Sequence, residues 1–134
     1  EESYAISNNL PILARIKSTA INGCPPELMG LGPIGASLKA LKRAGLDIND
    51  IDIIELNEAF ASQSLACIKE LNINPDKVNI EGGAIAIGHP LGATGARITA
   101  KAAYLMNKHD KRYALATQCI GLGQGIATIL EKVE

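Results

Sequence analysis

The chain has no tryptophan, one phenylalanine and three tyrosines, so any core must be built from isoleucine, leucine, valine and alanine. Its cysteines number only three, Cys24, Cys67 and Cys119, odd in count and far apart. That pattern excludes a disulfide framework and predicts reduced thiols in a cytoplasmic compartment. Two histidines and no Cys-x-x-Cys pair argue against structural zinc, so no metal is expected. Neither charge sign dominates: 13 basic against 14 acidic residues give a net charge of −1, which offers nothing to nucleic acid or an anionic membrane surface. No apolar run reaches the length of a membrane span, and no signal-peptide pattern is visible. A starting Met is also missing: the chain opens at Glu1-Glu2, as a fragment or processed product does. There is no low-complexity segment and no internal repeat. What remains is 134 residues, 47% hydrophobic, enough for one compact α/β domain.

Glycine, by contrast, is concentrated. Gly82-Gly83-Ala84-Ile85-Ala86-Ile87-Gly88-His89-Pro90-Leu91-Gly92-Ala93-Thr94-Gly95 holds five of the thirteen glycines and one of the two histidines. His89 stands between Gly88 and Pro90, on a loop that leads into a helical pattern whose free N–H groups favour anions. Two nucleotide-loop readings fail. Gly83 to Pro90 has the glycine spacing of a phosphate-binding loop but carries His and Pro where Lys and Ser or Thr are needed. Gly121-Leu122-Gly123-Gln124-Gly125 is one residue too tight for a dinucleotide fingerprint and precedes a strand pattern rather than a helix.

In chain order, residues 1–10 are polar and read as an arm. Ile12 to Ile21 alternates as a strand, with Ile12, Ala14, Ile16, Ser18 and Ala20 on one face. Pro33 starts a helix that Gly45 stops. Ile51 to Leu56 is a strand, Asn57 a cap for a helix from Glu58 to Leu71, and Val78 to Ile80 a short strand. Ala93 to Asn107 is a helix, Tyr113 to Cys119 a strand, Gly121 to Gly125 a turn, and Ile126 to Lys132 a closing strand. The order βαβαβαββ predicts a five-stranded mixed sheet, largely parallel with its last strand antiparallel and helices on both faces.

Three polar elements then fall at strand ends: Asn57-Glu58, His89 and Cys119. In open α/β sheets the carboxyl ends of parallel strands are where sites assemble, so topology brings the three to one edge. Each has a plainer reading. His89 can be an ordinary loop histidine, Asn57 only a helix cap, Glu58 a favourable charge at a helix start, and Cys119 a buried strand cysteine. Cys24 and Cys67 read as structural. Together, a thiol that acts as nucleophile or base, an imidazole that sets its protonation, and N–H groups beside glycines that hold an oxyanion point to acyl chemistry.

Asn57-Glu58-Ala59-Phe60-Ala61, the run from Gly82 to Arg97, and Cys119-Ile120-Gly121-Leu122-Gly123-Gln124-Gly125 resemble the three C-terminal signatures of thiolases, in the family's order and spacing. Met29-Gly30-Leu31-Gly32-Pro33 resembles a further family segment. The resemblance runs from Pro11 to the C-terminus and implies acyl transfer between coenzyme A thioesters, by 3-ketoacyl-CoA thiolysis or acetyl-CoA condensation, without a bound cofactor. It implies that His89 activates a nucleophilic cysteine and lines one oxyanion hole. It implies that Asn57 orients a water there, that Cys119 is the acid/base, and that the Gly121 N–H serves a second oxyanion hole. Met29 and Phe60 would line the acyl pocket.

The family's nucleophilic cysteine belongs to an N-terminal half that this sequence lacks. The resemblance therefore predicts a C-terminal domain over residues 11–134, inactive alone, partnered by an N-terminal thiolase half and by acyl-CoA and CoA, in a homo-oligomer. The helix from Glu58 to Leu71, uncharged from Ala59 to Ile68, is expected to lie between two layers and to be left exposed without that half. The alternatives are a non-enzymatic assembly module that keeps the motifs and a ketoacyl-synthase-type condensing enzyme. The latter usually carries histidine in place of the Asn57 segment.

Overall fold

The computed structural model describes residues 1–133. The chain runs α1 (Glu2–Ser7), β1 (Arg15–Gly23), α2 (Gly32–Ala44), β2 (Ile53–Leu56), α3 (Ala61–Glu70), α4 (Ala84–Ile87), α5 (Leu91–Lys108), β3 (Tyr113–Ile120) and β4 (Gln124–Glu131), with short 3-10 turns between. The sheet has four strands in the order β1-β4-β3-β2. β2 and β3 are parallel, while β4 lies antiparallel between β3 and β1. The last strand is therefore the reversed one, as the alternation of strands and helices predicts.

The fifth strand expected at Val78 to Ile80 is absent. Pro75–Lys77 is a 3-10 turn, Val78 makes one parallel bridge to Ile54, and Asn79 then turns away at φ +47°. Asn79 replaces the missing strand with its side chain. Its backbone N–H donates to Ile54 O at 2.8 Å. Its amide accepts from Leu56 N at 3.0 Å and donates to Leu56 O at 2.8 Å. One side chain thus satisfies both backbone groups that the next strand residue would have paired.

The alternation in β1 also breaks. Ile16 pairs with Leu130 and Ser18 with Ile129, so Lys17 is an extra residue in a bulge. A bulge shifts the side-chain period by one. Ile16 and Ser18 consequently fall on opposite faces, and Ile16 is exposed where strict alternation placed it with Ala20. The N-terminal arm carries the short helix α1, tied to β1 by a two-pronged bond from Arg15 to Glu2 at 2.7 and 2.9 Å.

Two aliphatic cores flank the sheet. On one face Ala36, Ala40 and Leu41 of α2 and Cys67 of α3 pack on Ile54, Leu56, Leu115 and Ile129. On the other, Ile98, Ala102, Leu105 and Met106 of α5 pack on Ile53, Ala114, Ala116 and Leu130. Each fully buried large aliphatic side chain contributes about 1.5–3 kcal/mol. Tyr113 is the only aromatic ring in either cluster. α3 buries Gln63, Ser64 and Cys67 but leaves Leu65 exposed, so one side of this helix, uncharged up to Ile68, is open. No helix among the described residues is long and apolar enough to cross a membrane.

Candidate active site

Asn57 does not cap the helix that follows it. α3 starts only at Ala61, with Phe60 as its N-cap, because residues 57–60 turn across the end of the sheet. Asn57 is buried, and its amide nitrogen lies 3.3 Å from His89 Nε2 and 3.4 Å from Nδ1. Near-equal distances to both ring nitrogens place the amide over the ring rather than on either lone pair. Asn57 Oδ1 is buried with no hydrogen-bond partner.

His89 is oriented from its other side by Thr94, the fourth residue of α5, which is fully buried. Nδ1 stands 2.7 Å from Thr94 Oγ1. With its hydroxyl donating to Pro90 O at 3.0 Å, Thr94 Oγ1 is free to accept from Nδ1–H. That pairing favours the tautomer in which Nε2 keeps its lone pair. Sequence reasoning passed over Thr94, although it sits inside the glycine-rich motif. The signal was its spacing, one helical turn after Pro90, where a hydroxyl can bond back to the i−4 carbonyl.

Glu58 differs from its sequence reading as well. Its carboxylate accepts from Asn79 Nδ2 at 3.0 Å and from the backbone N–H of Ile85, in the first turn of α4, at 2.9 Å. It caps the helix of the histidine loop, not its own. Gly83 makes room for this: a Cβ there would stand 2.5 Å from Glu58 Oε2 and 2.7 Å from Cδ.

Behind these residues lies a buried charge. Glu55 on β2 is 1% exposed, and Lys101 Nζ approaches its Oε1 to 3.5 Å, an ion pair without a hydrogen bond. Burial pushes the Glu55 carboxyl up to about 7, against the pull of Lys101 and Arg97. The three guanidinium nitrogens of Arg97 are buried without hydrogen-bond partners.

Cys119 reaches the same edge along β3. It pairs with Gly125 across the hairpin and is buried. Burial holds its thiol above the usual range, which keeps it protonated at neutral pH. Cys67 is raised for the same reason and hydrogen bonds to Gly30 O, a packing role. Cys24 donates weakly to Leu28 O, also a structural role. The hairpin is latched to the segment before α2. Cys24 N donates to Gly123 O at 2.8 Å, and Gly32 and Gly125 approach so closely that a Cβ on Gly125 would lie 2.0 Å from Gly32 C. This contact brings Met29 alongside Gly121.

Met29, Phe60, His89, Cys119 and Gly121 line one open cleft of about 420 Å³, with Leu91 and Gln118 completing the wall. Asn57 stands behind His89 rather than in the cleft wall. Met29, Phe60, His89, Cys119 and Gly121, with Asn57 against the imidazole, thus lie at one end of the sheet. Among the described residues no group of three or more His, Cys, Asp or Glu could hold a metal ion. The cleft carries exposed apolar side chains: Phe60 is 60% exposed and Leu91 82%. An imidazole beside a protonated thiol and backbone N–H groups can move protons and hold developing negative charge.

The family described as "Thiolase, C-terminal domain" matches residues 10–132. The 3-ketoacyl-CoA thiolase of Shewanella sp. (strain ANA-3) is 57% identical over 136 residues, and that of Photorhabdus laumondii 58% identical; each alignment covers 99% of this chain. The crystal structure of human mitochondrial 3-ketoacyl-CoA thiolase superposes with a TM-score of 0.96 at 45% identity, covering 99% of this chain and 34% of that one, and a second human structure holds CoA. The chain spans 35% of the length of its bacterial relatives. It belongs to the thiolase family, as that family's C-terminal domain.

Proposed function

We propose that this chain is the C-terminal catalytic half of a 3-ketoacyl-CoA thiolase, joined or bound to an N-terminal half that supplies the nucleophilic cysteine. The observation that carries the reading is the convergence of His89 and Cys119 on one cleft, with Asn57 held against the back of the imidazole. In thiolysis, His89 Nε2 takes the proton of the partner half's cysteine, whose thiolate adds to the 3-keto carbon. His89 and a water that Asn57 orients hold the oxyanion that forms. Its collapse breaks the C2–C3 bond and leaves the acyl group on the cysteine and an enolate on the departing acetyl-CoA. Cys119 donates its thiol proton to that carbanion, and the Gly121 N–H steadies the thioester oxygen. Cys119, now a thiolate, takes the proton of an incoming CoA thiol whose sulfur attacks the acyl-enzyme; the shortened acyl-CoA leaves, and His89 returns its proton to the freed cysteine.

The raised Cys119 thiol suits this direction, since a protonated thiol is the acid the carbanion needs. Condensation of two acetyl-CoA molecules would run the same steps in reverse. Met29 and Phe60 shape the acyl pocket. The N-terminal half covers the exposed apolar side chains Phe60 and Leu91 of the cleft, and Leu65, Ile85, Ile87 and Leu122 outside it. The complete protein works as a homo-oligomer in the cytoplasm. The test is acetoacetyl-CoA cleavage by this chain alone and by the chain fused to the N-terminal part of the Shewanella relative. Turnover only in the fusion supports the reading. Turnover by the chain alone would remove the need for the partner's nucleophile, and no turnover in a folded fusion would leave an assembly module.

A further inference from the structure

We propose that Glu58 is a positioning residue for His89: its carboxylate clamps the loop carrying the imidazole to the strand end carrying Asn57, and so sets how the two groups meet. The assignment rests on the thiolase reading above.

His89 is fixed from two directions. Thr94 holds the ring from α5, but nothing in that contact ties α5 to β2. The second hold is through the backbone ahead of His89. Glu58 receives the Ile85 N–H at 2.9 Å. From there α4 is closed by its own bonds, Ile87 N to Gly83 O at 3.2 Å and Gly88 N to Ala84 O at 2.8 Å, up to the residue before His89. The other carboxylate oxygen receives Asn79 Nδ2 at 3.0 Å, and Asn79 is bonded to both backbone groups of Leu56. Asn79 O also accepts from Gly82 N at 2.7 Å, anchoring the start of the same loop.

One carboxylate therefore bridges two segments 27 residues apart, between Glu58 and Ile85. Asn57 is its immediate neighbour in the chain, so a shift of the clamp moves the Asn57 amide relative to the imidazole. A carboxylate suits the place because both partners are donors; an amide would turn one NH₂ against a donor. Gly83 leaves the space the carboxylate occupies. Misplacing a reacting group by about 1 Å costs on the order of 10²-fold in rate, so a clamp of this kind acts on turnover without touching substrate.

The experiment uses isotope-labelled chain. His89 ring ¹⁵N shifts report the tautomer, and the Ile85 amide exchange rate reports the clamp. In the native chain the ring should show one tautomer with Nδ1 protonated. Glu58→Ala and Glu58→Asp, the latter a methylene too short to reach both donors, should give averaged ring shifts and Ile85 exchange at least about tenfold faster. Glu58→Gln, which keeps one acceptor, should fall between. Gly83→Ala displaces the carboxylate from the other side and should reproduce the effect with Glu58 intact, which serves if Glu58→Ala does not fold. In the fusion, Glu58→Gln should lower kcat roughly 10- to 100-fold with little change in KM. Folded Glu58→Asp or Gly83→Ala chains with native ring shifts and native Ile85 exchange would overturn the proposal. An inactive native fusion with the native ring signature would instead overturn the thiolase reading and leave the clamp standing.

Discussion

The two sides of the cleft are built by different means. Cys119 sits near the end of the eight-residue strand β3, and its position is set by the ladder that pairs it with Gly125 of β4 and by the Gly32–Gly125 contact. His89 sits on a loop between a one-turn helix and a long one, held by the side chains of Thr94, Glu58 and Asn79. A backbone ladder survives the loss of any one side chain, whereas a loop held by three side chains does not. The thiol is thus placed by architecture and the imidazole by chemistry, and substitutions should separate the two.

The sharpest break comes from crowding the backbone on the thiol side. Gly125→Ala puts a Cβ about 2 Å from the Gly32 carbonyl, a clash no rotamer relieves. We expect a loss of about 4 kcal/mol or more in urea unfolding of the chain. A near-native midpoint would show that the latch gives way cheaply and that Cys119 is less rigidly placed than its neighbour.

Within the fusion, removing the functional groups should expose different half-reactions. His89→Ala should slow acyl-enzyme formation from acetyl-CoA, while Cys119→Ala should still acylate but lose the carbon–carbon bond step. Each loss should be on the order of 10²–10⁴-fold. Rapid-quench acylation and steady-state cleavage measured side by side give the comparison, and equal loss of both steps in both variants would contradict the division of roles.

A smaller effect should appear in stability against pH. The Glu55 carboxyl titrates near 7 in the fold, above its ordinary 4.5, because burial penalises its charge. The folded state holds that proton more tightly than the unfolded chain. The stability is therefore fully present below about 4.5 and is lost as pH rises through about 7, by up to roughly 3 kcal/mol. Lys101, Arg97 and Glu58 are the charges that bear on it. Glu55→Gln should flatten urea stability between these pH values, and an unchanged slope would mean that Lys101 already neutralises the buried carboxylate.

The finest cut is Thr94→Val, close in shape but without the hydroxyl. It should cost about 1 kcal/mol of stability and leave His89 Nδ1 unpartnered. Mixed tautomers in the ring ¹⁵N spectrum should accompany a drop in activity of about tenfold. A single native tautomer in this variant would transfer the orienting role to Asn57.

Topology alone brings Asn57, His89 and Cys119 to one end of the sheet, because each stands at or after the end of an expected strand, whereas Met29, Phe60 and Gly121 are expected there only from the resemblance to thiolases. What the sequence could not show was how they are held. Glu58 and Ile85 are joined by a hydrogen bond across 27 residues that no local pattern announces. The extra residue Lys17 in β1 is invisible to a period of two, since a bulge changes the count and not the composition. Val78 to Ile80 has strand-like residues, but the positive φ of Asn79 and its side-chain pairing to Leu56 end the strand after one bridge.

That same asparagine has a consequence for solubility. β2 lies at the edge of the sheet, and a bare edge invites another chain to add a strand. Here Ile54 O, Leu56 N and Leu56 O are already taken by a residue that bends away immediately afterwards. A neighbouring molecule finds neither free donors nor a straight template to extend. The turn that ends a would-be strand also closes the edge to intermolecular pairing and works against aggregation from that side of the sheet.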